Sequence, residues 1–85
     1  MNLKKYAPLY NYLSKRTDTR LTLTFAEIES IIGDNLPKSA RKYTAWWSNS
    51  KTKAHPYSHS WLDADYKTAN IISGLANQCM VFERT

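Results

Sequence analysis

Thr24-Phe25-Ala26-Glu27-Ile28-Glu29-Ser30-Ile31-Ile32-Gly33 is the stretch that decides how this 85-residue chain is organised. Thr24 and Glu27 stand at the spacing of a capping box, in which hydroxyl and carboxylate each satisfy the other residue's backbone N–H at a helix start. Phe25, Ile28, Ile31 and Ile32 then recur at helical spacing, and Gly33 falls where a left-handed C-terminal cap is needed. A helix over Phe25–Ile32 follows. Immediately upstream, Leu21-Thr22-Leu23-Thr24 alternates and is rich in β-formers, which predicts a short strand entered from a polar loop at Thr17–Arg20. Further back, Pro8 suits a first helical turn, and Leu9, Tyr12 and Leu13 share one face, so a helix is expected from Pro8 to about Arg16.

Downstream, Asp34–Pro37 turns the chain into a second helix expected over about Lys38–Trp47. Its Ala40, Tyr43, Trp46 and Trp47 fall on one face, with Lys38, Arg41 and Lys42 toward another. Ser48–Ser58 is polar and basic, contains His55-Pro56, and reads as an irregular loop. His59–Ala64 makes a short third helix carrying Trp61 and Leu62 inward. Two β-like runs, Tyr66–Ser73 and Gln78–Arg84, flank a turn-forming Ser73-Gly74-Leu75-Ala76-Asn77, which predicts a C-terminal hairpin. Helix, short strand, two to three helices and hairpin is an α+β order, that of a winged helix-turn-helix domain. In such a domain the short strand can join the hairpin as a third strand.

Composition agrees with a single domain over residues 1–85. Hydrophobic residues make up 42% of the chain, and three Trp, six Tyr and two Phe supply large buried surfaces. Cys79 is the only cysteine, so neither an intrachain disulfide nor a cysteine zinc site can form. No apolar run reaches the roughly 18–20 residues that span a bilayer, and Met1-Asn2-Leu3-Lys4-Lys5-Tyr6 lacks an apolar signal core, so a cytoplasmic location is expected. The net charge of +5 favours a polyanionic partner.

Several motifs in order resemble a family: Tyr6-Ala7-Pro8-Leu9, Leu23 to Gly33, Leu36-Pro37-Lys38-Ser39-Ala40-Arg41, Trp46-Trp47-Ser48-Asn49, Trp61-Leu62-Asp63-Ala64-Asp65-Tyr66 and Met80-Val81-Phe82-Glu83-Arg84. The pattern is similar to that of an uncharacterised family of small bacterial and phage winged-helix-like domains. Two positions depart from it. Asp65 stands where the pattern has Gly, which implies a turn held differently, and Met80 stands in place of Val. The resemblance implies a fold and no established activity.

The charge is concentrated. From Asn35 to Leu62 there is no acidic residue, while Lys38, Arg41, Lys42, Lys51 and Lys53 lie within it, interleaved with Tyr43, Trp46, Trp47, Asn49, His55, Tyr57 and His59. Lys and Arg neutralise phosphates, and Arg and Asn can address base edges. The expected contact set to nucleic acid, double-stranded DNA above all, is Lys38, Ser39, Arg41, Lys42, Trp47, Asn49, Lys51, Lys53, His55 and Tyr57, with Lys67, Asn70 or Asn77 added by the wing. Competing readings stand beside it. Trp46, Trp61 and one face of Trp47 read as core; Arg41 can cap a helix or pair with Glu27 or Glu29; Lys51 and Lys53 can be plain solvated surface. Stacking of single strands on Trp47 and Tyr57 uses the same residues. The alternative from another class is a protein-binding module, such as a small phage or mobile-element inhibitor of a host nuclease or defence complex, anchored by Trp47, Tyr57 and Leu75.

Chemistry is not indicated. Glu27 and Glu29, two apart on a helix, face different ways and make no acid/base pair. Pro56 interrupts any helix that would bring His55 and His59 to one metal. With no nucleophile–base signature and no Gly-rich phosphate loop, neither an enzyme nor a cofactor or metal is expected. No heptad extends far enough to set an oligomeric state.

Overall fold

A computed structural model describes residues 3–50 and 56–85. In chain order it contains α1 (Ala7–Ser14), β1 (Arg20–Thr24), α2 (Phe25–Ile32), α3 (Lys38–Lys42), α4 (His59–Leu62), β2 (Tyr66–Ala69), α5 (Ile71–Asn77) and β3 (Cys79–Arg84), with 3-10 turns at Leu3–Tyr6, Thr44–Trp47 and Pro56–Ser58. The α+β expectation holds. The three strands form one antiparallel sheet in the order β1-β3-β2, so the short N-terminal strand does join the C-terminal pair.

The capping box is present as read. The Thr24 hydroxyl accepts from the Glu27 N–H at 3.0 Å, and Glu27 Oε1 accepts from the Thr24 N–H at 2.8 Å. Gly33 closes α2 at φ 70°, in the left-handed region that glycine occupies without steric cost. Leu9 and Leu13 of α1, Phe25, Ile28 and Ile32 of α2, and Leu23, Tyr66, Met80 and Phe82 of the sheet bury their side chains together with three tryptophans.

Three expectations about local structure are corrected. The helix expected over Lys38–Trp47 is broken at Tyr43, whose φ of −117° and ψ of 126° are those of a strand. The break has a use. In an unbroken helix the Ala40 carbonyl would accept from Thr44; here the Trp47 indole Nε1–H donates to it at 2.7 Å, and both Trp46 and Trp47 turn into the core. Tyr43 is consequently thrown outward, 60% exposed, rather than sharing the inner face with Ala40.

The strand expected over Tyr66–Ser73 ends at Ala69. Asn70 takes a left-handed φ of 52°, and the expected turn is the helix α5, so the antiparallel pair β2/β3 is bridged by a helix. Ile71, Gly74 and Leu75 share one side at i, i+3, i+4. Ile71 and Leu75 pack on the core, and Gly74 is buried. Gly74 reads as a breaker in sequence, yet its reason is contact: a Cβ there would lie 2.5 Å from the Cys79 carbonyl oxygen. The third correction is minor, α4 being shorter than His59–Ala64.

Asp65, which departs from the family pattern, sits at φ 65°. The turn keeps the left-handed geometry for which glycine is suited, and Asp, among the L-residues that visit this region more readily, tolerates it. Its carbonyl then accepts from the Thr85 N–H at 2.9 Å.

Because the Cys79 carbonyl belongs to the backbone and has little room to retreat, Gly74→Ala is expected to destabilise the fold by about 1–3 kcal/mol, the range for overpacking. Urea denaturation of the variant, read as a shift of the midpoint at constant slope, measures this.

Candidate functional site

The basic middle of the chain resolves into two parts with different tasks. The first is structural and centres on the aromatic residues. Trp47, fully buried, lies between Phe25 (ring centroids 5.4 Å apart, 9° between planes) and Trp61 (5.7 Å, 24°). Trp46 stacks on Tyr57 at 4.1 Å, with Tyr6 edge-on to both. Burial raises the pKa of the Tyr57 hydroxyl, and burial together with the neighbouring Tyr57 does the same for Tyr6. These rings are core. Trp47 is therefore not a stacking platform for bases or an anchor for a protein, and Tyr57 spends one ring face on Trp46.

Asn49 is also removed from the contact set. Its Oδ1 accepts from the Trp61 Nε1–H at 3.0 Å and the Thr68 N–H at 2.9 Å, while its Nδ2 donates to the Thr68 carbonyl at 3.1 Å. Since β2 is an edge of the sheet, the carboxamide pairs with that edge as a neighbouring strand would. The Thr68 hydroxyl donates to the Trp47 carbonyl at 2.6 Å and completes the link between the 3-10 turn and β2.

Arg41 follows the competing structural reading. Its Nη2 lies 2.8 Å from Glu29 Oε2, its Nη1 donates to Gln78 Oε1 at 3.1 Å, and its guanidinium stands 5.4 Å from the centre of the Phe25 ring. The same Glu29 Oε2 accepts from the Leu36 N–H at 2.8 Å. One carboxylate thus holds the turn between α2 and α3. These bonds, that from Leu36 first and that from Arg41 second, keep the Glu29 carboxyl below the usual carboxylate range; the Thr24 N–H does so for Glu27.

What remains is the outer surface of α3 and its surroundings. Lys38 and Lys42, one turn apart, are exposed, and neither is in an ion pair among the described residues. The paired cations lie elsewhere: Lys5 with Asp34, Arg16 with Asp18, Arg20 with Glu83 and Arg41 with Glu29. Ser39 is half-buried. An open cleft of about 770 Å³ runs between the 3-10 turn at Thr44–Trp47 and the β2–α5 junction, with Thr44, Ser48, Asn70, Ile72 and Ser73 among its walls. Lys67 does not line this cleft; it is exposed on the outer sheet face, opposite Glu83 in the strand register. Lys51, Lys53 and His55 lie outside the described residues.

Tyr43, Thr44 and Ile72 are the surface residues that sequence reading did not single out as contacts. The signal for Tyr43 and Thr44 was hidden by the assumption of an unbroken helix. That for Ile72 was hidden by the assumption of a strand.

A family model described as a domain of unknown function, DUF7662, matches residues 6–85. The chain belongs to the DUF7662 family. No curated protein and no solved structure matches it. Within this DUF7662 domain no group of three or more metal-ligating side chains occurs among the described residues, and no described helix is long and apolar enough to cross a membrane.

Two outcomes are expected of the structural part. Asn49→Ala leaves the Trp61 indole and the Thr68 backbone without their partners and should cost about 1–3 kcal/mol, measured by chemical denaturation. Glu29, depressed in the folded state, contributes stability in full above its ordinary pKa of about 4.3 and loses it as pH falls through the folded value. Glu29→Gln should therefore be less stable at neutral pH and lose less on acidification. Denaturation midpoints from neutral pH downward test both halves.

Proposed function

We propose that this DUF7662 domain is a non-catalytic nucleic-acid-binding module that takes double-stranded DNA on the outer surface of α3. The observation that carries the reading is the pair Lys38 and Lys42, exposed on one face of α3 with no carboxylate to neutralise them among the described residues. Every acidic side chain near them in sequence is committed or distant: Glu29 to Arg41, Asp34 to Lys5, and none at all from Asn35 to Leu62.

Element order supports the same reading. α2 and α3 follow one another across Gly33–Pro37 in the chain order of a helix-turn-helix, and the sheet order β1-β3-β2 suits a winged helix in which α5 replaces the tip of the wing. In this arrangement Lys38 and Lys42 contact phosphates, while Tyr43 and Thr44 extend the surface past the helix end. Arg41 supports it from behind by fixing α3 to α2, so its loss acts through the fold. Lys51 and Lys53 belong to the same acid-free stretch of the sequence.

Fluorescence anisotropy with a mixed-sequence duplex, from about 50 mM salt upward, provides the test. Affinity should fall with salt, and Lys38→Ala with Lys42→Ala should reduce the slope of log K against log salt by about 1.8, roughly 0.9 per phosphate contact. Absence of duplex binding at low salt overturns the reading.

A further inference from the structure

The two edges of the sheet are treated differently. β2, one edge, is occupied by the Asn49 carboxamide. β1, the other, has no such cover among the described residues, and the register shows which of its backbone groups point outward. The Arg84 N–H donates to the Thr19 carbonyl and the Phe25 N–H to the Gln78 carbonyl, both at 2.8 Å, and Arg20↔Glu83 to Thr24↔Cys79 pair between them. Hydrogen-bonded pairs alternate in an antiparallel ladder. Leu21 and Leu23 therefore turn their N–H and C=O toward β3 as well, and Arg20, Thr22 and Thr24 turn theirs away.

This outward row is closed at both ends. The Asp18 carbonyl accepts from the Tyr66 hydroxyl at 2.7 Å, and the Thr24 N–H donates to Glu27 at 2.8 Å. The N–H and C=O of Arg20 and of Thr22 are left, and no hydrogen bond reaches any of these four groups among the described residues. Edge strands are commonly guarded against pairing by a proline, a bulge or a charge. β1 has neither proline nor bulge, and its one charge, Arg20, lies 3.6 Å from Glu83 of its own sheet.

The strand that matches this row is a second β1. In an antiparallel two-fold pairing centred on Leu21, Arg20 stands opposite Thr22 of the other copy and Thr22 opposite its Arg20, both at hydrogen-bonded positions. All the open groups of both strands then find partners, and neither occupied end is called upon. Centring on Thr22 instead would set Arg20 against Thr24, whose N–H is already donated. Leu21, only partly buried, meets its counterpart on the axis at a non-hydrogen-bonded position, where facing side chains come closest. On the same side Tyr12, Leu23 and Ile31 are among the walls of an open cleft of about 360 Å³, so apolar surface flanks the strand.

We infer that the domain self-associates through β1, forming a two-fold dimer with one continuous six-stranded antiparallel sheet. The inference does not depend on the duplex-binding reading.

Sedimentation velocity on the full chain, from about 10 µM to about 1 mM, provides the test. The contact is small, so the dimer should appear toward the upper end of that range. Thr22→Pro removes an outward N–H that the domain's own sheet does not use; the variant should fold by circular dichroism and stay monomeric. Thr22→Glu and Thr22→Lys, at an exposed position facing Arg20 of the second copy, probe the register. The first should tighten the dimer and the second loosen it, each by about two- to thirty-fold for two cross-strand charge pairs. The same charges placed at exposed Ala76 should leave it unchanged. A monomer at every concentration overturns the inference, even if a strand of another protein docks on β1. So does a dimer that Thr22→Pro leaves intact, or one that responds alike to charge at Thr22 and at Ala76. If Thr22→Pro does not fold, the response to charge decides alone.

Discussion

The indole N–H of Trp47, donated to the Ala40 carbonyl, is the contact on which the rest of the domain depends. It takes the place of a helical hydrogen bond, so α3 ends after five residues and the chain turns inward with two consecutive tryptophans. Trp47 then lies between Phe25 of α2 and Trp61 of α4, and its carbonyl receives the Thr68 hydroxyl from β2. One side chain and its own backbone thus tie three helices and the sheet edge to a common centre. A small domain has few residues to spend on a core, and concentrating several large rings around one hydrogen-bonded indole is an economical arrangement.

That arrangement also sorts the polar residues of the middle region. Those within reach of the aromatic cluster are drawn into structural service: Asn49 into sealing the β2 edge, Arg41 into joining α2, α3 and the residue before β3. Those beyond it, Lys38 and Lys42, stay on the surface without counter-charges among the described residues. A basic stretch that looks uniform in sequence is therefore divided by the partners its side chains find.

Much of the architecture was legible in the residues. The capping box at Thr24 and Glu27, the glycine stop at Gly33 and the alternation before Phe25 are local devices whose physics depends on neighbours in the chain, and they appear where they were read. The breaks were not legible, because their causes are tertiary. Nothing near Tyr43 announces that a distant indole claims the Ala40 carbonyl, and Gly74 looks like a turn residue until its proximity to Cys79 is known. The same limit applied to the site. Residue type suggested Asn49 and Arg41 as contacts, whereas their actual partners lie 19, 12 and 37 positions away in sequence.

Thr24 closes β1 and caps α2 in the same residue, with no linker between strand and helix. A sheet normally guards its alignment through which side chains face the core. Here a mechanical lock is added: sliding β1 by one position along β3 would pull the threonine away from the helix start, and the helix would lose its first hydrogen-bonded turn. Strand alignment and helix initiation are one event, so the hinge common between such elements is replaced by a rigid corner.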